Sequence, residues 1–310
     1  MPRSPQVPPG LASRPFRGST AVADGLLTWT MLRGRAWQRL LPDVYVHRVG
    51  HQPDDHRLWC EAVALVLPTG AAIAGLSAAY LWGAGTLPPG APVTVVLPRA
   101  ARMRPHARVA VTRSVLSDDD IDVQAGLPVT TALRTAFDLA RRPPRTEAVV
   151  AVDAMLHHRV VDLPALREYA AQRSGWPGLP LLREVLSLVD PLAESPMETR
   201  LRLLLLDAGL PPPAAQYDVH DGAGRFVTRV DLAYPTRRVA IEYEPAPTRE
   251  PAQARREASR FHSLRTAGWR VVRCTADDVL RHPGRTARMV AGALRLRPTG
   301  QPTGRPGALP

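Results

Sequence analysis

Four carboxylates in the C-terminal part of the chain have the types and spacing that chemistry requires. Glu242 and Glu244 stand two residues apart in Val239-Ala240-Ile241-Glu242-Tyr243-Glu244, which reads as a strand, so both point to one face. Asp231 lies in a preceding apolar strand, Phe226–Tyr234, joined by a short turn at Pro235–Arg238. The turn makes the strands neighbours and brings Asp231 near Glu242 across the ladder. Three carboxylates on one face repel one another unless positive charge lies between them. A hard divalent cation, Mg²⁺ or Mn²⁺, would supply it, and beside a phosphodiester such an ion activates water and stabilises the breaking bond. Asp231, Glu242 and Glu244 are therefore the candidate metal ligands. The same residues have a second reading, because Arg229 shares the Asp231 face, Arg237 and Arg238 occupy the turn, and acids in an arginine-rich chain pair across strands. Glu198 is the fourth candidate, yet Ser195-Pro196-Met197-Glu198 also reads as a capping box, with the Glu198 side chain bonding back to the N-cap amide.

The elements that must position these groups form a unit spanning 191–297. A helix from Ser195 to Gly209 precedes the hairpin; a helix over 252–267 ends at Gly268, a strand runs 269–273, and a last helix covers 284–296. The order α-β-β-α-β-α predicts a compact α/β unit. Residues 16–52 read as a separate basic module: a helix from Ser19, a turn at Gly25-Leu26, a helix capped by Thr28, then the strand Val44–His47, which is the order of a winged helix-turn-helix. Residues 53–190 form a mixed, mainly helical middle region, with helices over 54–67 and 71–83, strands at 93–97 and 108–113, and helices at 131–141, 146–158, 164–173 and 179–189. The acidic run Asp118–Asp120 reads as a solvated loop, and residues 1–15 and 298–310 as a disordered leader and tail.

All 40 basic residues are arginine, set against 28 acidic ones, for a net charge of +12 and a pI near 11.0. The excess points to a polyanionic partner, most simply DNA. Arg33, Arg35 and Arg39 in the first module and Arg255, Arg256 and Arg260 on the 252–267 helix are the candidate nucleic-acid contacts, with Glu257 placed to pair with Arg260. Cys60 and Cys274 are far apart and in no CxxC pattern, which excludes a disulfide scaffold and a cysteine zinc site. The uncharged stretch 62–98 is interrupted by Pro68-Thr69-Gly70 and is too short on either side to cross a bilayer, so a cytoplasmic protein is expected.

Two resemblances follow from these residues. The segment 195–296 resembles the very-short-patch-repair-like nucleases of the PD-(D/E)XK superfamily. The match rests on Ser195-Pro196-Met197-Glu198-Thr199-Arg200, Val230-Asp231-Leu232-Ala233, Ala240-Ile241-Glu242-Tyr243-Glu244, and Arg256-Glu257 to Arg260 before Gly268-Trp269-Arg270-Val271. It implies a restriction-endonuclease-like fold, a Mg²⁺-dependent DNA endonuclease, metal binding by Asp231, Glu242 and Glu244, and an accessory role for Glu198. Residues 16–140 resemble the winged-helix antitoxins of abortive-infection systems (AbiEi-like), through Phe16–Leu27, Asp43–His47, Ser77-Ala78-Ala79 and Gly126–Thr131. The sequence departs from the nuclease pattern in three ways: Glu244 stands where that superfamily has lysine, Pro245 stands where a glycine is usual, and no histidine follows before His262. These departures motivate the alternative expectation, a non-catalytic DNA-binding regulator or antitoxin-like repressor with a degenerate nuclease fold. A toxin or other protein partner is left open.

Overall fold

The computed structural model describes residues 7–85, 87–245 and 251–295, apart from the side chains of 50, 251–254 and 257. Those residues form an α/β protein that divides into two compact units: residues 1–139 with 158–176, and 140–157 with 177–310. The tail over 298–310 and the first part of the leader lie outside the described residues. Residues 7–15 do have structure: a 3-10 turn at Pro9–Leu11, Val7 and Leu11 packed on a Phe16–Trp37 cluster, and an Arg14–Glu61 ion pair at 3.2 Å.

The first unit begins with β1 (Phe16–Arg17), α1 (Gly18–Ala23), α2 (Trp29–Leu32), β2 (Trp37–Leu41) and β3 (Val44–His47), whose strands form a sheet in the order β1-β3-β2. Thr28 caps α2 as expected, accepting the Met31 amide at 3.2 Å, but α2 is a single turn. The hairpin turns at Asp43, which holds φ at 63° and whose carboxylate accepts the Ser19 amide at 2.8 Å. Next come α3 (His56–Ala64), β4 (Ala72–Ile73), α4 (Gly75–Leu81), β5 (Val93–Leu97), β6 (Val109–Arg113), β7 (Ile121–Gln124), β8 (Leu127–Thr130) and α5 (Ala132–Ala140), with a five-stranded sheet ordered β6-β5-β4-β8-β7. Leu41 and Val46 of the first hairpin join the same apolar cluster as Leu58, Val63, Ile73 and Val95.

The helix expected over 71–83 is a two-residue strand followed by a helix. Ala72 and Ile73 pair with Val96 and Val95, and Gly75 then takes φ +56° against Thr94, where an added Cβ would stand 3.1 Å from its methyl. The acidic run Asp118–Asp120 is a 3-10 turn, and Asp120 is buried, not solvated. Arg134, 0% exposed, explains this: it binds Asp120 at 2.8 Å, Asp138 at 2.9 Å and Ser114 at 2.8 Å. Burial works against ionisation of Asp120, but hydrogen bonds from Ser117 and Tyr169 and the Arg134 charge outweigh it and hold its carboxyl below the usual range.

The chain then contributes α6 (Arg145–His157) to the second unit, returns to the first for α7 (Leu163–Ala171), and leaves it again at Pro177. The second unit continues with α8 (Leu179–Leu188), α9 (Pro196–Asp207), β9 (Ala214–His220), β10 (Phe226–Tyr234), β11 (Val239–Glu244), α10 (Pro251–Thr266), β12 (Arg270–Thr275), α11 (Ala276–Leu280) and α12 (Pro283–Leu294). Its sheet order is β12-β11-β10-β9, with β11 parallel to β12 and the other pairs antiparallel. The hairpin has the expected bounds, while β9 and α11 add to the expected order. Leu201, Ile241 and Val290 pack on one sheet face; Ala240, Leu264 and Trp269 pack on the other. α6 and α8, expected in the middle region, belong to this unit, where Asp153 of α6 binds Arg202 and Thr199 of α9, each at 2.8 Å. Among the described residues, no helix is long and apolar enough to cross a membrane.

Arg134→Met would leave two buried carboxylates without their guanidinium. The expected cost is ~3–5 kcal/mol, read from a lower urea midpoint of the first unit. An unchanged midpoint would remove Arg134 from its place as the unit's electrostatic centre.

Candidate functional site

The antiparallel register of β10 and β11 pairs Leu232 with Ile241, Ala233 with Ala240 and Tyr234 with Val239. Beyond the Leu232–Ile241 pair the Asp231 side chain takes over: Oδ2 accepts the Tyr243 amide at 2.7 Å. Asp231 and Glu242 thus meet at the open end of the hairpin, as their spacing predicts. Both faces of the sheet are covered, so Glu242 is 2% exposed. Its Oε2 accepts Nη2 of Arg260, from α10, at 2.7 Å, whereas Oε1 is buried with no hydrogen-bond partner among the described residues.

The other two candidates are placed differently from expectation. Glu198 is buried beside the hairpin, but its carboxylate does not close the expected capping box. Ser195 Oγ accepts the Glu198 amide at 3.2 Å, while Glu198 Oε2 accepts the Glu194 amide at 3.0 Å and Gln216 Nε2 at 2.8 Å. Glu244 pairs with Arg273 on β12, because the parallel register sets Glu242 opposite Arg273 and Glu244 one step beyond. Arg229 pairs with Asp218 at 2.7 Å rather than with Asp231. Pro245 is exposed, and the departure over Ala246–Thr248 lies outside the described residues.

Burial, and then the nearby Asp231, push Glu242 up to about 7 against the pull of Arg260. Burial likewise raises Asp231 to about 6 against the Tyr243 amide, with Glu198 adding repulsion. Positive charge is needed here, and Arg260 supplies it. Of the three expected metal ligands, Glu242 and Glu244 each bind a guanidinium and Asp231 accepts a backbone amide. No group of three or more His, Cys, Asp or Glu among the described residues is placed to hold a metal ion. As arranged, each of the three carboxylates has an oxygen engaged by the protein itself.

Arg260, expected to meet a phosphate, is thus engaged by Glu242, while its expected partner Glu257 lies outside the described side chains. Arg255 and Arg256 are exposed on α10. In the first unit Arg33, Arg35 and Arg39 are exposed around the start of β2, and Arg39 Nε donates to the Leu41 carbonyl at 3.3 Å. Sequence reasoning missed Arg273 and Gln216 as site residues. Arg273 was within reach, since pairing the strand at 269–273 with Val239–Glu244 sets it beside both glutamates. Gln216 was not, because β9 was not recognised as a strand. Cys60 and Cys274 are free, buried thiols, each pushed up to about 12 mainly by burial.

The raised Glu242 carboxyl fixes a sign. Between the unfolded value of 4.5 and about 7, the folded protein keeps a proton that the unfolded chain has lost, so this group's contribution to stability falls as pH rises through that window. Glu242→Gln removes that slope. The variant's melting temperature should therefore gain on wild type between about pH 5 and about pH 8 in thermal scans, and a difference independent of pH would contradict the raised value.

Residues 50–188 match the AbiEi antitoxin C-terminal domain family. Over 200 residues the chain is 35% identical to the uncharacterized proteins MT2308 and Rv2248 of two Mycobacterium tuberculosis strains, covering 64% of this chain and 73% of each relative. A crystal structure of the RV2827C protein from Mycobacterium tuberculosis aligns with a TM-score of 0.39 and 17% identity. That alignment covers 55% of this chain and 64% of the other, less than two thirds of its length. By the extent of the match to MT2308 and Rv2248, the chain belongs to their family.

Proposed function

We propose that this protein is a DNA-binding regulator of the antitoxin type, and that its carboxylate site is held shut by arginine rather than used for hydrolysis. The observation that carries the reading is the match of residues 50–188 to an antitoxin domain family. The net charge of +12 and the exposed Arg33, Arg35 and Arg39 beside the first hairpin supply what a phosphate backbone requires. The α1-turn-α2 segment followed by the β2–β3 hairpin would act as a winged helix, and a toxin would be the protein partner. In the second unit, the pairing of Arg260 with Glu242 and of Arg273 with Glu244 supports a structural use of these carboxylates.

The test is DNA binding and plasmid cleavage by the full chain, with and without Mg²⁺ or Mn²⁺. Salt-sensitive binding without cleavage is expected, with weaker binding by Arg33→Gln/Arg35→Gln/Arg39→Gln. Metal-dependent nicking that disappears in both Asp231→Ala and Glu242→Ala would overturn the non-catalytic reading and restore these residues as ligands.

A further inference from the structure

The hairpin has a second chemical end. Its turn, the C-terminal ends of α10 and α12, and the start of β12 enclose a cleft of ≈ 610 Å³ lined by Arg237, Arg238, Arg265, Arg270 and Arg295. All five arginines are exposed, and among the described residues no carboxylate lines the cleft. Arg270 has a structural use, donating to the Ala293 carbonyl at 2.8 Å at the end of α12. Among the described residues the other four pair with no acidic side chain, although the same domain ties Arg229, Arg260 and Arg273 to acids. The turn crowds this charge: an added Cβ at Gly268 would stand 3.2 Å from Arg238 Nη1, and Arg238 itself holds φ at 50°.

Five like charges around one cleft repel, and carbonyls at two helix ends offset only part of that repulsion. A bound anion would relieve it. We infer that this arginine cleft is a binding site for the phosphates of a nucleic-acid backbone, separate from the carboxylate end of the hairpin and from the first module. The inference rests on the DNA-binding reading above and adds a second contact surface to it. Five guanidinium groups exceed what one phosphate neutralises, which favours a polymeric anion, and their forks match phosphate oxygens in pairs. A lipid surface fits less well: the large apolar side chains of the cleft, Trp269 and Leu294, are 8% and 2% exposed, leaving nothing to insert into a bilayer.

The experiment is fluorescence anisotropy of the full chain on two labelled duplexes of unrelated sequence across a KCl series, comparing wild type with Arg237→Gln/Arg265→Gln. Neither of those side chains makes an ion pair among the described residues, and a matched melting temperature checks that the variant is folded. The expected result is weaker binding to both duplexes by a similar factor, with a salt slope shallower by ~2, one for each lost phosphate contact. Equal affinity and slope in variant and wild type would overturn the cleft while leaving DNA binding intact. Absence of wild-type binding to either duplex at low salt would overturn both the cleft and the DNA-binding reading. Wild-type binding to phosphatidylglycerol vesicles but not to DNA, lost in the variant, would replace the nucleic acid with a membrane as occupant.

Discussion

Burying a carboxylate is costly unless compensating charge or hydrogen bonds come with it, and for four of the buried acids here a guanidinium supplies the charge. Arg134 serves Asp120 and Asp138 in the first unit; Arg202 serves Asp153 and Arg260 serves Glu242 in the second. At Asp120, Asp153 and Glu242 burial works to raise the carboxyl, and a planar fork that also makes directed hydrogen bonds opposes it. The balance differs among the three. Asp120 ends below its ordinary range, whereas Asp153 and Glu242, more deeply enclosed, end at about 6 and about 7. The carboxylates of the hairpin are therefore best understood as part of a charge-compensated sheet end.

That compensation sets which carboxylate oxygens the protein already engages. A metal-dependent hydrolase needs carboxylate oxygens free to ligate and space for water between them. At the open end of this hairpin, one oxygen of Glu242 and one of Asp231 are occupied by Arg260 and by the Tyr243 amide, and Glu244 is drawn to the neighbouring strand. Oε1 of Glu242 is buried with no hydrogen-bond partner among the described residues. The stretch that matches a family model, residues 50–188, ends before this hairpin begins.

What was legible in the sequence was local. Phe226–Tyr234 and Val239–Glu244 are β-prone runs of strand length separated by a short turn at Pro235, so their bounds and the meeting of Asp231 with Glu242 followed directly. The N-caps at Thr28 and Ser195 were equally visible. The misses share one cause, a partner far away in sequence. Asp120 is buried because of a residue 14 positions later, and Glu198 is held by Gln216, 18 positions on. β4 is two residues long inside an apolar run that also suits a helix, and only pairing with Val95 and Val96 distinguishes the two. Arg260 and Glu242 were both singled out, one for phosphate and one for metal; that they would bind each other required the sheet.

The passage of the chain through α6 into the second unit, back through α7 and out again makes both units discontinuous in sequence. The stretch that matches a family and the stretch that packs as a body are consequently different objects. Cutting at residue 188, the end of the matched stretch, would strip from α6 the Arg202 and Thr199 that hold Asp153, leaving an apolar helix with a bare buried acid. Inherited modularity and physical modularity have come apart in this molecule. A fragment ending at that boundary would therefore keep a buried acid and lose the guanidinium that compensates it, and the remaining piece would lose α6 from its core.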